Sequence, residues 1–360
     1  MIPGIYDFHV HIGECIAGHE LADDWHSFQR LCEHAGLEGI GVFVTEAEDE
    51  SLAAKLQRMR EQAKAFSGKV FWHLTPKSLE AEKIISLLSP DTDLKLYTTY
   101  REAGLYQSYV AIERLMKDLQ SHKPRLLVHC EDDGIICEYG DRYPFLKPAD
   151  HCQRRPEKAE ITAVEKLLDL ALKHRYPLHI VHVSTPQAAL LIKQAKQEAD
   201  YITCETAPHY LLLNEDSLQD AQGHQWLCAP PLRSESSRGL MVELLQDGIF
   251  DLIASDHCAF STLDKDKGIL HPSQTPMGIA GTGALFTLLA EHLVAKNKIS
   301  IMQLIELIGT SPAAMMSMET NDDKYHYERL GAPNPVLPSL SDTPNPYRDF
   351  WSHYELRRTT

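Results

Sequence analysis

Short runs of apolar, β-branched and aromatic residues recur along the chain at 5–11 (IYDFHVH), 39–45 (GIGVFVT), 70–75 (VFWHLT), 93–98 (DLKLYT), 125–131 (RLLVHCE), 178–184 (LHIVHVS), 201–207 (YITCETA) and 252–258 (LIASDHC). Each is too short for a helix and apolar at most positions, the pattern of strands buried on both faces. Helix-like segments lie between them, at 50–66, 107–121, 159–174, 185–198 and 236–247. The helix at 185 has Ser184 as its expected N-cap and Pro186 in its first turn. Eight strands alternating with helices predict a (β/α)8 TIM barrel. The competing fold is an open, doubly wound sheet. The count of eight, and the lack of a Gly-x-Gly-x-x-Gly turn after the first strand, favour the barrel.

Two connections are long. The stretch 132–158 carries charges, aromatics and Arg155-Pro156, and 259–280 is marked by glycine and proline. Loops of that length are functional or disordered, and at the C-terminal face of a barrel they would overhang the mouth. Helices are expected at 281–296, 300–308 and 311–318. The remainder, 319–360, is polar, Pro-rich and poorly periodic. The expected organisation is therefore a barrel over 1–318 and a tail over 319–360 that wraps the surface or is partly disordered.

Composition narrows the class. With 360 residues, 43% hydrophobic and 24% charged, the chain can bury a large core. A net charge of −16 argues against nucleic acid or an acidic membrane as partner. A small molecule, and a second copy of the chain, remain the expected partners. The eight cysteines form no Cys-x-x-Cys pair, and Cys130, Cys204 and Cys258 lie inside apolar runs. That usage fits buried free thiols in a reducing cytoplasm. The N-terminus lacks a signal-peptide pattern, and no apolar run reaches membrane-spanning length.

Polar residues that interrupt the apolar runs carry the chemistry. They are His9 and His11 in the first run, Lys95 in the fourth, His129 in the fifth, His182 in the sixth and Asp256 in the eighth. His9 and His11 are two apart, so on a strand they share a face. Any one of these residues could be a satisfied core polar group. Six of them from five strand ends, converging on one barrel mouth, point to a divalent-metal site. Lys95 is the unusual member, because a buried lysine is costly unless paired or neutral. Two readings stay open. Its neutral amine adds carbon dioxide to become a carbamate ligand, or it forms a buried ion pair with Glu131 or Asp256.

These residues sit in motifs that resemble the amidohydrolase superfamily, in its cyclic-amide branch of dihydroorotases, allantoinases, hydantoinases and dihydropyrimidinases. The motifs are Asp7-Phe8-His9-Val10-His11, Leu94-Lys95-Leu96-Tyr97, His129-Cys130-Glu131, Val181-His182-Val183-Ser184, Glu205-Thr206-Ala207-Pro208-His209-Tyr210-Leu211, Pro230-Pro231-Leu232-Arg233 and Ser255-Asp256-His257-Cys258. Arg155-Pro156 and Ala159-Glu160 also match, and the resemblance runs from about Pro3 to Met318. It implies two divalent ions, most often zinc. His9, His11 and Asp256 would bind one, His129 and His182 the other, with N6-carboxylated Lys95 and a hydroxide as bridges. That hydroxide would attack the ring amide while Asp256 moves the proton. Tyr100 is expected to steady the oxyanion, and Tyr100, Ala229 and Gly278 to contact the substrate. Many relatives add a small β-sandwich, whereas this chain is expected to be a bare barrel with a tail.

The implied activity is hydrolysis of a cyclic amide or ureide. A non-catalytic dihydropyrimidinase-like scaffold is the alternative of another class, and the filled ligand positions favour an enzyme. Within the branch, dihydroorotases hold a ring carboxylate with an arginine, an asparagine and a histidine. Gly13, Ala229 and Phe260 stand at those places. Hydantoinase or dihydropyrimidinase activity is therefore expected, with dihydroorotase or allantoinase as the alternative. Arg101, Arg142 or Arg154 are the residues that could restore the lost charge.

Overall fold

A computed structural model describes residues 2–16, 18–320 and 324–359. Of the expected barrel and tail ranges, positions 1, 17, 321–323 and 360 lie outside the described residues. All eight expected strands form. They are β1 (Ile5–Val10), β2 (Leu37–Thr45), β3 (Lys69–Thr75), β4 (Thr92–Tyr97), β5 (Leu126–His129), β6 (Leu178–Ile180), β7 (Ile202–Thr206) and β8 (Leu252–Ile253). They pair in parallel and in chain order. A parallel bridge between Val10 and His257 closes the ring, so the architecture is the expected (β/α)8 barrel.

Tyr6, Phe8, Phe43, Phe71, Leu127 and Leu252, from five strands, meet in one cluster inside the ring. A larger cluster packs the strands against the surrounding helices, which bury one apolar face each. No helix among the described residues is long and apolar enough to cross a membrane.

β6 and β8 stop well before the ends of their apolar runs. The backbone of His182 turns to φ +38° and that of Asp256 to φ +52°. A left-handed residue cannot continue a ladder, so the ends of those runs become mouth rather than strand. The expected cap at 184 is also corrected. Thr185 holds the N-cap position of helix Pro186–Lys196 without a side-chain cap bond. Ser184 instead donates its N–H (2.8 Å) and its hydroxyl to buried Glu160. The connection 132–158 is not irregular, since it folds into helices Asp133–Arg142 and Asp150–Arg154.

The tail departs from expectation too. It contains β9 (Tyr325–Pro335) and β10 (Trp351–Arg358), an antiparallel pair. Tyr325 bridges to Ile2 near the start of the chain. Between the two strands, Val336 and Tyr347 are buried in a cluster with Trp226, Leu227, Cys228 and Ile279. The tail is thus packed structure, although a two-stranded ribbon is far short of a sandwich.

Candidate metal centre at the barrel mouth

The pairing of β1 with β2 slips between Asp7 and Val10, an irregularity of the kind that re-aims side chains beside active sites. The rings of His9 and His11 lie 5.4 Å apart, each against Phe43. Asp256, just beyond β8, places Oδ1 3.0 Å from His9 Nε2 and 4.0 Å from His11 Nε2. One donor atom from each of the three falls within 4.8 Å of the others. Beneath them Asp7 accepts from the N–H of Ser255 (3.0 Å), from its hydroxyl, and from Thr282 Oγ1 (2.6 Å). This pins the residue that precedes Asp256.

His129 and His182 form a second pair, with Nδ1 and Nε2 facing each other at 3.0 Å. The His182 ring is 5.4 Å from that of His9, so the two groups adjoin. Carboxylates outside the cluster fix the imidazoles. His9 Nδ1 lies 2.5 Å from Glu205 Oε1, and His129 Nε2 lies 2.7 Å from Glu131 Oε2. Arg155 in turn grips both oxygens of Glu131. A carboxylate on one ring nitrogen leaves the other nitrogen's lone pair for a metal. Burial first, and then the charge of Lys95 among other neighbours, depresses these imidazoles. His11 falls to about 4, and His9, His129 and His182 are also lowered. All four are neutral near pH 7, the state that binds metal.

Lys95 is 1% exposed. Its ammonium lies 4.9 Å from the Phe43 ring and 5.1 Å from that of Tyr97. Among the described residues no carboxylate stands within ion-pair distance of it, and Glu131 is already bound by His129 and Arg155. Burial pulls its pKa down to about 8, against the opposing pull of Glu205 and Asp256. The donor set therefore fits a pair of divalent ions. His9, His11 and Asp256 converge on one point, with the His129–His182 pair beside them and buried Lys95 nearby.

Tyr100 sits at φ +70° with its ring 5.0 Å from that of His129 and the Arg155 guanidinium 5.1 Å over it. Burial pushes its phenol above the ordinary range, so it remains a donor. Tyr100, His182 and Asp256 all hold left-handed backbone. Such strain persists where the surroundings enforce it, and it gathers at functional sites. Ala229 and Gly278 are not hydrogen-bonded to the histidines. They lie on adjoining segments, where Gly278 N–H donates to Leu227 O at 3.0 Å, two residues before Ala229. Gly278, at φ +149°, allows no side chain, because a Cβ would stand 2.7 Å from Cys258 O. Sequence reasoning assigned no task to Asp7, Glu205 or Arg155. The available signal was a charged residue inside a buried run, which requires a partner.

No family model matches the chain. A dihydroorotase of Brevibacillus brevis is 27% identical over 251 residues, 67% of this chain and 57% of that protein. A dihydroorotase of Geobacillus sp. is 31% identical over 238 residues, 62% of this chain and 53% of that protein. The match thus spans little more than half the length of these relatives. Among solved structures, the dihydropyrimidinase of Brevibacillus agri superposes with a TM-score of 0.90 at 22% identity, covering 99% of this chain and 82% of that one. A D-hydantoinase gives the same TM-score of 0.90. The chain is thus similar in sequence to dihydroorotases and in fold to a dihydropyrimidinase and a D-hydantoinase.

Proposed function

We propose that the protein is a metal-dependent hydrolase that opens the ring of a cyclic amide or ureide. The observation that carries this reading is Lys95, buried and without an ion pair beside four neutral imidazoles. Its amine would add to carbon dioxide, lose a proton and present a carbamate. His9, His11 and Asp256 would hold one divalent ion, His129 and His182 a second, and N6-carboxylated Lys95 would serve both, with zinc the expected metal. Bound there, the ions would lower the pKa of water and polarise the ring carbonyl.

The remaining work belongs to the chain. Asp256 takes the proton from the attacking water and delivers it to the ring nitrogen as the C–N bond breaks. The product is a ring-opened ureido or N-carbamoyl acid. The Tyr100 hydroxyl donates to the carbonyl oxygen as negative charge builds there. Glu205 and Glu131 keep His9 and His129 in their ligand tautomers. Ala229 and Gly278 shape the wall that the ring meets. The eight free cysteines support a reducing cytoplasm as the working compartment.

An uncharged ring suits this mouth best. A ring carboxylate needs charged or hydrogen-bonding partners, and the arginines near the site are engaged elsewhere. Arg101 pairs with Asp133, Arg155 with Glu131 and Arg233 with Glu160. Arg154 donates to the carbonyls of Gly140 and Tyr143, and Arg142 stacks on Tyr143. Gly13 has φ +65°, and a Cβ there would lie 2.9 Å from Trp25 Nε1, so no longer side chain fits. The second reading is a dihydroorotase, which the sequence relatives favour. Catalytic efficiency of zinc-loaded protein on hydantoin, dihydrouracil, allantoin and dihydroorotate separates the two. The neutral rings are expected to lead. Dihydroorotate turned over about tenfold better would establish the second reading, a difference near 1.4 kcal/mol in transition-state binding.

A further inference from the structure

The tail segment 336–342 runs along the loop that follows β8, and we propose that it positions Asp256 for the reaction through Asp23 and His257. The proposal rests on the hydrolase reading above. Asp23, 2% exposed, sits between tail and mouth. Its Oδ1 accepts from Ser27 Oγ (2.9 Å) and Ser341 Oγ (2.5 Å), and its Oδ2 from His257 Nε2 (3.0 Å) and Ser339 Oγ (2.9 Å). A carboxylate offers about four lone-pair sites, and all are taken, two of them by the tail.

His257 is the residue after Asp256. With Nε2 donating to Asp23, its Nδ1 accepts from the amides of Gly281 (3.3 Å) and Thr282 (3.4 Å). Its carbonyl accepts from the N–H of His11 at 2.7 Å. The imidazole is thereby held at both nitrogens, and its main chain is tied to the first strand. Asp256 needs such support, since its backbone at φ +52° costs free energy unless its neighbours enforce it.

The tail touches the same loop at two further points. Gly283 N–H donates to Pro338 O at 3.0 Å, and a Cβ on Gly283 would stand 2.4 Å from Leu337 O. Thr262 donates its N–H to Asp342 O (3.3 Å) and its hydroxyl to Asp342 Oδ1 (2.9 Å). Contacts that end on the neighbour of the proton-carrying residue are placed to set its direction. Ser339, Ser341 and Asp23 are therefore positioning residues. They touch no reacting atom.

The test is the double variant Ser339→Ala/Ser341→Ala in the full, metal-loaded chain. Displacing a reacting group by a fraction of an ångström costs about ten- to a hundredfold in turnover. A fall in kcat of that size is expected, with KM and bound metal at wild-type levels. The amides of Gly281 and Thr282 should exchange with solvent faster, and Ser339→Thr/Ser341→Thr, which keeps both hydroxyls, should restore kcat. Should the double variant fail to fold, Asp23→Asn keeps the shape, removes two acceptor sites and should show the same kcat loss. A variant with a lowered melting temperature but unchanged kcat and unchanged exchange would make the tail a stabiliser only and overturn the proposal. Should the wild-type protein hydrolyse no cyclic amide, the hydrolase reading falls, and exchange at Gly281 and Thr282 decides the wiring alone.

Discussion

A lysine that is 1% exposed, with no carboxylate in ion-pair reach, is costly as a cation. Desolvation brings Lys95 to about 8, close enough to neutrality for its amine to react with carbon dioxide. Asp256 has the opposite exposure, with 14% of its side chain open to the mouth. In the proposed reaction it would ferry the proton, and its contact with His9 would hold it in the cluster. Asp256→Asn keeps the shape but removes the base. The expected result is a turnover reduced about a thousandfold, several kcal/mol of transition-state stabilisation. Steady-state rates measured beside metal content check this, because a near-normal rate in a variant that still holds metal would remove the residue from that role.

At the scale of elements, strand ends bring distant residues together, and the sequence reveals only half of that. All eight strands were legible because parallel strands buried on both faces are nearly continuous apolar runs. For the same reason, Lys95, His129, His182 and Asp256 stood out as interruptions. Their partners were not legible. Glu205 lies 196 positions from His9, and Asp7 lies 248 from Ser255, and no local pattern announces a pairing at such separation. The early ends of β6 and β8 were hidden as well, since positive φ at His182 and Asp256 is imposed by tertiary contacts. In the tail, Gly331, Pro333 and Pro335 break the alternation that would have announced β9.

The buried imidazoles at these strand ends also set a pH dependence. Burial lowers His11 from 6.5 to about 4. Below the unfolded value the unfolded chain takes a proton that the folded chain refuses. The contribution of His11 to stability is thus complete above pH 6.5 and lost as pH falls toward 4. Burial raises the buried carboxyls of Asp7 and Glu205, which works in the opposite sense, so the effect is isolated by subtraction. For metal-free protein, the stability of His11→Asn should fall less steeply with acid than that of wild type, by up to about 1.4 kcal/mol per pH unit. Urea unfolding across that range measures it, and parallel slopes would contradict it.

For the molecule as a whole, the barrel supplies the floor of the proposed metal site and the connections supply its walls. The segment after β5 reaches the site through Arg155 on Glu131, and the tail backs the segment after β8 through Val336 and Tyr347. This division explains how one chain is similar in sequence to dihydroorotases and in fold to hydantoinases. In the proposed function the choice of ring would depend on a few wall positions such as Gly13, Ala229 and Phe260. The proposed function depends most on the floor holding two ions through a modified Lys95. The direct measurement is metal stoichiometry of wild type and Lys95→Ala after loading with zinc and 13C-labelled bicarbonate, with the carbamate carbon followed by NMR. The account predicts two ions per chain and a bound carbamate signal in wild type, both lost in Lys95→Ala together with hydrolysis. A Lys95→Ala protein that binds two ions as tightly as wild type would contradict it.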